Sequence, residues 1–96
     1  MNEIQYEKIR KIIEHYGVEN QRAILQEECA ELIQAISKVN RVDCPENNNH
    51  MIEEMADVLI VINQIISTFS YEQLTTLYTI QDMKINRQIR RIEKGE

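Results

Sequence analysis

Helix breakers are almost absent from this chain. Gly17, Pro45 and Gly95 are its only glycines and proline in 96 residues. A many-stranded sheet needs far more turn residues, so this scarcity selects a few long helices. The apolar spacing agrees. A first helix is predicted from about Glu3 to Tyr16, with Ile9, Ile12, Ile13 and Tyr16 at helical intervals and Gly17 as its stop. A second is predicted from about Asn20 to Asn40, with Ile24, Leu25, Leu32, Ile36 and Val39 on one side. Between Arg41 and Asn49 the pattern fails. Asp43, Cys44, Pro45 and the run Asn47, Asn48, Asn49 read as the one clear loop.

A third helix is predicted from near those asparagines, any of which could cap it, to about Thr68. Its apolar positions cover most of its circumference, with Ile60 and Val61 outside the main stripe. That marks it as the central helix. Ser70 followed by Gln73 fits a capping box, with Phe69 and Leu74 at the staple positions. The fourth helix then carries Leu74, Leu77, Tyr78, Ile85, Ile89 and Ile92 along one stripe, and fraying is expected over Glu93 to Glu96. The expectation is a single all-α domain over residues 1–96, a four-helix chain forming an oligomeric helical bundle. A chain this short buries only a modest core, and three other helices hardly cover the third. A homodimer or homotetramer is expected.

The formal net charge is −5, which argues against nucleic acid as a partner. Two cysteines, Cys29 and Cys44, form no framework and no paired motif. They read as reduced thiols of a cytoplasmic protein. The opening residues do not read as a signal peptide. The most apolar stretch, Val58 to Ile66, is too short and too interrupted to span a membrane.

The charges are unevenly placed. Glu27, Glu28, Glu31, Glu53, Glu54 and Asp57 form two short acidic clusters. On a wheel of about 100° per residue, Ile24, Leu25, Leu32, Ala35, Ile36 and Val39 fall within about 80° of Glu28. Glu28 therefore points into the apolar face, and Glu31 sits at its edge. On the third helix Glu54 lies between Val61 and Ile65, and Asp57 lies one turn before Val61. A single Glu-x-x-Glu is ordinarily a solvated face. Two carboxylate pairs spaced i, i+3, both directed toward apolar faces, are different. They place four carboxylates around one centre, where unpaired burial is costly. One or two hard divalent cations stabilise such a centre, and Mg²⁺ takes oxygen ligands while keeping waters and substrate phosphates in its shell. Di-iron bundles use Glu-x-x-His pairs, and neither His15 nor His50 stands three residues after a Glu of these helices. Both histidines read as surface or loop residues.

Glu27-Glu28-Cys29-Ala30-Glu31, followed after the intervening residues 32–53 by Glu54-Met55-Ala56-Asp57, resembles the EExxE…ExxD signature of the MazG-like all-α NTP pyrophosphatases. The resemblance runs from about Tyr16 to Arg91. Dimeric dUTPases, dCTP pyrophosphatases and the phosphoribosyl-ATP pyrophosphatase of histidine synthesis share the signature. The resemblance implies that Glu28, Glu31, Glu54 and Asp57 ligate Mg²⁺, with Mn²⁺ as a substitute. It implies that Glu27 holds a second metal or orients water. Lys84, Asn86 and Arg87, with Arg90 and Arg91 behind them, resemble the family's basic phosphate-contacting segment in character more than in spacing. Tyr16, Gly17 and Gln21 resemble positions at the nucleoside end. As alternatives, the basic stripe is a solvated helix end favoured by the macrodipole, and Tyr16 is core packing.

The expected activity is hydrolysis of a nucleoside or deoxynucleoside triphosphate to the monophosphate and pyrophosphate, by metal-activated water attacking the α-phosphorus. Two other readings stay open. One is phosphoribosyl-ATP hydrolysis within the same superfamily. The other is a non-catalytic partner-binding or regulatory module, which has no need of inward carboxylates.

Overall fold

Helix caps explain most of the element boundaries. Asn2 accepts from the Gln5 N–H at 2.9 Å and the Gln5 side chain accepts from the Asn2 N–H at 3.2 Å, so α1 (Glu3–Tyr16) opens on a capping box. It closes where expected, at Gly17. That residue has φ +87°, a conformation L side chains rarely adopt, and its N–H reaches the Ile13 carbonyl at 2.8 Å. Gly17 also begins α2 (Val18–Arg41), two residues before the expected start, because the left-handed turn reverses the chain at once. The computed structural model describes residues 1–95.

The expected loop of 41–49 shrinks to residues 42–44. Pro45 opens α3 (Pro45–Ile66) in the first turn, where its missing N–H is no loss. The asparagines therefore lie inside the helix and cap nothing. Asn47 Nδ2 donates to the Val42 carbonyl at 2.9 Å, and Asn48 Nδ2 to the Cys44 carbonyl at 2.9 Å and to Asp43 Oδ1 at 2.6 Å. They clamp the turn that makes α2 and α3 antiparallel neighbours. The Ser70–Gln73 capping box is present and opens α4 (Tyr71–Glu93). The helix runs to Glu93 with Lys94 as its C-cap, and Glu96 lies outside the described residues. The chain is all-α, with four helices and no strand among the described residues.

The principal packing is α2 on α3, with α1 laid across both. Ile9 and Ile13 of α1, Ala35 of α2, and Val58 and Val61 of α3 form the buried apolar core. Val61 was expected outside the stripe; it is 5% exposed because α2 lies on that side, while Ile60 faces outward. One polar pair is buried with them. Gln21 Nε2 donates to Gln64 Oε1 at 2.6 Å, and Asn20 Nδ2 donates to Gln21 Oε1 at 2.9 Å. This satisfies amides that would otherwise be costly to bury.

Helix α4 stands apart. It contains no buried residue, and Tyr78, Ile80, Met83, Ile85, Ile89 and Ile92 are all exposed. On α3, Ile52, Met55, Leu59 and Ile60 are exposed as well. The single chain is correspondingly open. Its radius of gyration is 16.5 Å, against about 12.5 Å for a compact domain of this length. Its accessible surface is 7725 Å², against roughly 5,800 Å² for a compact monomer of this mass. Among the described residues no helix is long and apolar enough to cross a membrane.

Candidate metal centre

The antiparallel pairing of α2 with α3 puts the two acidic clusters at the same height in one seam. Glu28, Glu54 and Asp57 each place a carboxylate oxygen within 4.8 Å of the other two. Glu31, exposed at the rim, couples to both Glu28 and Glu54, where it is the strongest of the neighbouring charges. Glu28 and Glu54 are half-buried, and Oε2 of each is a buried oxygen with no hydrogen-bond partner. Burial first, then repulsion from Glu31 and Asp57, pushes both carboxyls above their ordinary range. Glu54 contributes further to the repulsion at Glu28.

A cation fits this donor set. All the donors are carboxylate oxygens, which suit a hard divalent ion and not a thiophilic one. Two buried oxygens lack any partner the protein supplies, and a buried acceptor left unpaired is a standing cost. Among the described residues no lysine or arginine pairs with any of the four; Arg10 pairs with Glu14 at 3.7 Å, and the His50 imidazole lies beside Glu54 at 3.3 Å. The cluster thus has no lysine or arginine to offset its charge among the described residues, and its one basic neighbour is His50.

The other candidate residues lie elsewhere. Glu27 is exposed on α2, beside the cluster but not among the converging oxygens. Gln21 is 5% exposed and engaged with Gln64. Tyr16 is exposed, with its ring edge-on to His15 at 4.7 Å. Lys84, Asn86 and Arg87 are exposed on α4. With Ile80, Met83 and Arg90 they line an open groove of about 470 Å³, made of α4 alone and holding none of the four carboxylates. Sequence reading placed His50 on the surface or in a loop. It stands in α3, one turn before Glu54 and in contact with it. The i, i+4 spacing of His50 and Glu54 on the predicted third helix was the signal for that contact. Gln64 was missed as well, since its partner lies 43 residues away in sequence.

The unpaired basic stripe gives a direct test. On the expectation from the family resemblance that this stripe contacts phosphate, we predict that Lys84→Ala combined with Arg87→Ala raises KM for a triphosphate by at least about tenfold. The melting temperature of the isolated chain should hardly change, because neither side chain is buried. Unchanged kinetics would make the stripe a solvated helix end.

The fold and the centre together define a class: all-helical proteins that present carboxylates from two antiparallel helices to one point. The chain belongs to the MazG nucleotide pyrophosphohydrolase domain family, whose sequence model matches residues 17–94. That span takes in α2, α3, α4 and all four carboxylates. Comparison with curated proteins and with solved structures returned no match. The family assigns the chain to the hydrolases that cleave pyrophosphate from nucleotides.

Proposed function

We propose that this protein is a Mg²⁺-dependent nucleoside triphosphate pyrophosphohydrolase, converting NTP or dNTP and water to the monophosphate and pyrophosphate. The observation that carries this reading is the convergence of Glu28, Glu54 and Asp57, whose carboxylates bring one oxygen each within 4.8 Å of the others, together with the buried, partnerless oxygen that Glu28 and Glu54 each carry. Glu28, Glu31, Glu54 and Asp57 would hold the cation, with Mn²⁺ a substitute. When bound, the cation neutralises triphosphate charge and lowers the pKa of a coordinated water. Helices α2 and α3 supply rigid placement of the four carboxylates. Glu27, exposed one position before Glu28, would orient water or hold a second cation. Lys84, Asn86 and Arg87 would pair phosphate charge, which a net-acidic protein needs. Gln21 is proposed for the nucleoside end, and reading a base there requires its bond to Gln64 to open.

Assembly belongs to the same reading. The bare faces of α3 and α4, and about 2,000 Å² of surface beyond that of a compact monomer, support a homodimer or homotetramer built by burying them. Light scattering at micromolar concentration should give at least a dimer mass. A monomer would contradict it. The absence of a membrane-spanning helix and the two free thiols favour a cytoplasmic protein.

The decisive assay is product analysis on a panel of canonical, deoxy and modified triphosphates. Monophosphate and pyrophosphate should appear with Mg²⁺ and vanish with EDTA. Release of orthophosphate, or no turnover on any member, would sink the reading. Turnover of phosphoribosyl-ATP in place of the panel would keep the chemistry and refute the substrate class.

A further inference from the structure

Glu54 is the one member of the acidic quartet with a basic neighbour among the described residues. Its two oxygens are served unequally. Oε1 faces His50 Nε2 at 3.3 Å, while Oε2 is buried with no partner. The geometry follows from the helix. Side chains tilt toward the N-terminus, so a residue at i+4 leans back over the turn that carries residue i. His50 is therefore the group that Glu54 leans toward. The imidazole is 41% exposed and the Glu54 side chain 13% exposed, so His50 sits on the solvent side of the carboxylate.

We propose that His50 is a positioning residue for the cation centre: it engages Glu54 Oε1, fixes the carboxylate plane, and leaves Oε2 as the single atom offered to the cation. A carboxylate free to rotate presents either oxygen, or both, and loses entropy when a cation selects one. A second group that occupies one oxygen removes that choice in advance. Outer-shell partners of this kind hold metal-ligating side chains in orientation. His50 itself is not a ligand here; the converging donor atoms belong to Glu28, Glu54 and Asp57. This inference rests on the cation-site reading above.

The test uses the full chain, with Mn²⁺ as the probe. Mn²⁺ affinity would be read by electron paramagnetic resonance at one fixed pH, and metal-free melting by circular dichroism. His50→Ala should weaken Mn²⁺ binding by about 10- to 100-fold and leave the metal-free melt close to wild type, since a partly exposed i, i+4 pair contributes little to stability. His50→Gln carries an N–H donor at similar reach and should restore most of the affinity. Turnover of the alanine variant should recover at saturating Mg²⁺, which loss of a catalytic acid or base would not allow. Wild-type affinity in His50→Ala, or a glutamine variant as weak as alanine, overturns the positioning role. Failure of the wild type to bind Mn²⁺ at all overturns the cation site itself, which separates the two readings.

Discussion

Glu28→Gln should abolish turnover while leaving the metal-free fold at least as stable as wild type. The two halves of that result have one cause. Glu28 sits in the seam between α2 and α3 with a partnerless buried oxygen, repelled by Glu31, Asp57 and Glu54. Without a cation, its charge opposes the fold on which it sits, and a neutral amide of the same shape removes that opposition. With Mg²⁺ the order reverses. The wild type gains stability by ligand linkage, and the variant, lacking one donor, gains little. Activity should fall by more than about 100-fold, the upper end of what an outer-shell change causes in a metal site. Thermal melts of both proteins in EDTA and in Mg²⁺, alongside pyrophosphate release, measure every part. A satisfied structural network predicts the opposite pattern, because breaking a buried hydrogen-bonded pair is strongly destabilising whether or not metal is present. A variant that melts far below wild type in EDTA, beside a wild type indifferent to Mg²⁺, would make the carboxylates scaffolding.

Metal-free protein should also grow less stable as pH rises from acid to neutral, against the usual trend for carboxylates. Glu28 and Glu54 are held above their ordinary range by burial and by repulsion. The folded state therefore binds protons more tightly than the unfolded chain at these two sites. Stability is fully present below the unfolded value of 4.5 and is lost as pH rises through the raised folded values. Mg²⁺ takes over the role of those protons, so saturating Mg²⁺ should flatten the slope above that value, and metal binding should release protons into the buffer. Melting temperatures across pH in EDTA and in Mg²⁺ show both effects, and calorimetry in two buffers of different ionisation enthalpy counts the protons. Melts that rise toward neutral pH in EDTA would mean that the carboxylates are already compensated within the fold.

The elements and the site were legible to different degrees, for physical reasons. Gly17 and the Ser70–Gln73 box are local signals, and both ends they mark are where the sequence reading placed them. The turn before α3 was misread because Pro45 and the three asparagines have the composition of a loop. Here the proline opens the helix and two of the asparagines hydrogen-bond back across the turn. The helical wheel alone directed Glu28 and Glu54 inward. It offered the i, i+4 neighbourhood of His50 and Glu54 without showing that the two side chains meet, and it could not assign Gln64 to Gln21 across 43 residues.

What the sequence determined by itself was the helical content and the four carboxylates at i, i+3 spacing, because these depend on interactions within a few turns of one helix. The tertiary structure decided the rest. It brought the carboxylates of Glu28, Glu54 and Asp57 together and left one buried oxygen of Glu28 and of Glu54 without a partner. It turned Val61 into the core and placed the Gln21–Gln64 pair beside it. It left α4 bare although its apolar stripe is as regular as the others. A stripe records only that a helix needs covering. What covers it is set by the packing of distant segments, and within this chain α1, α2 and α3 satisfy one another first.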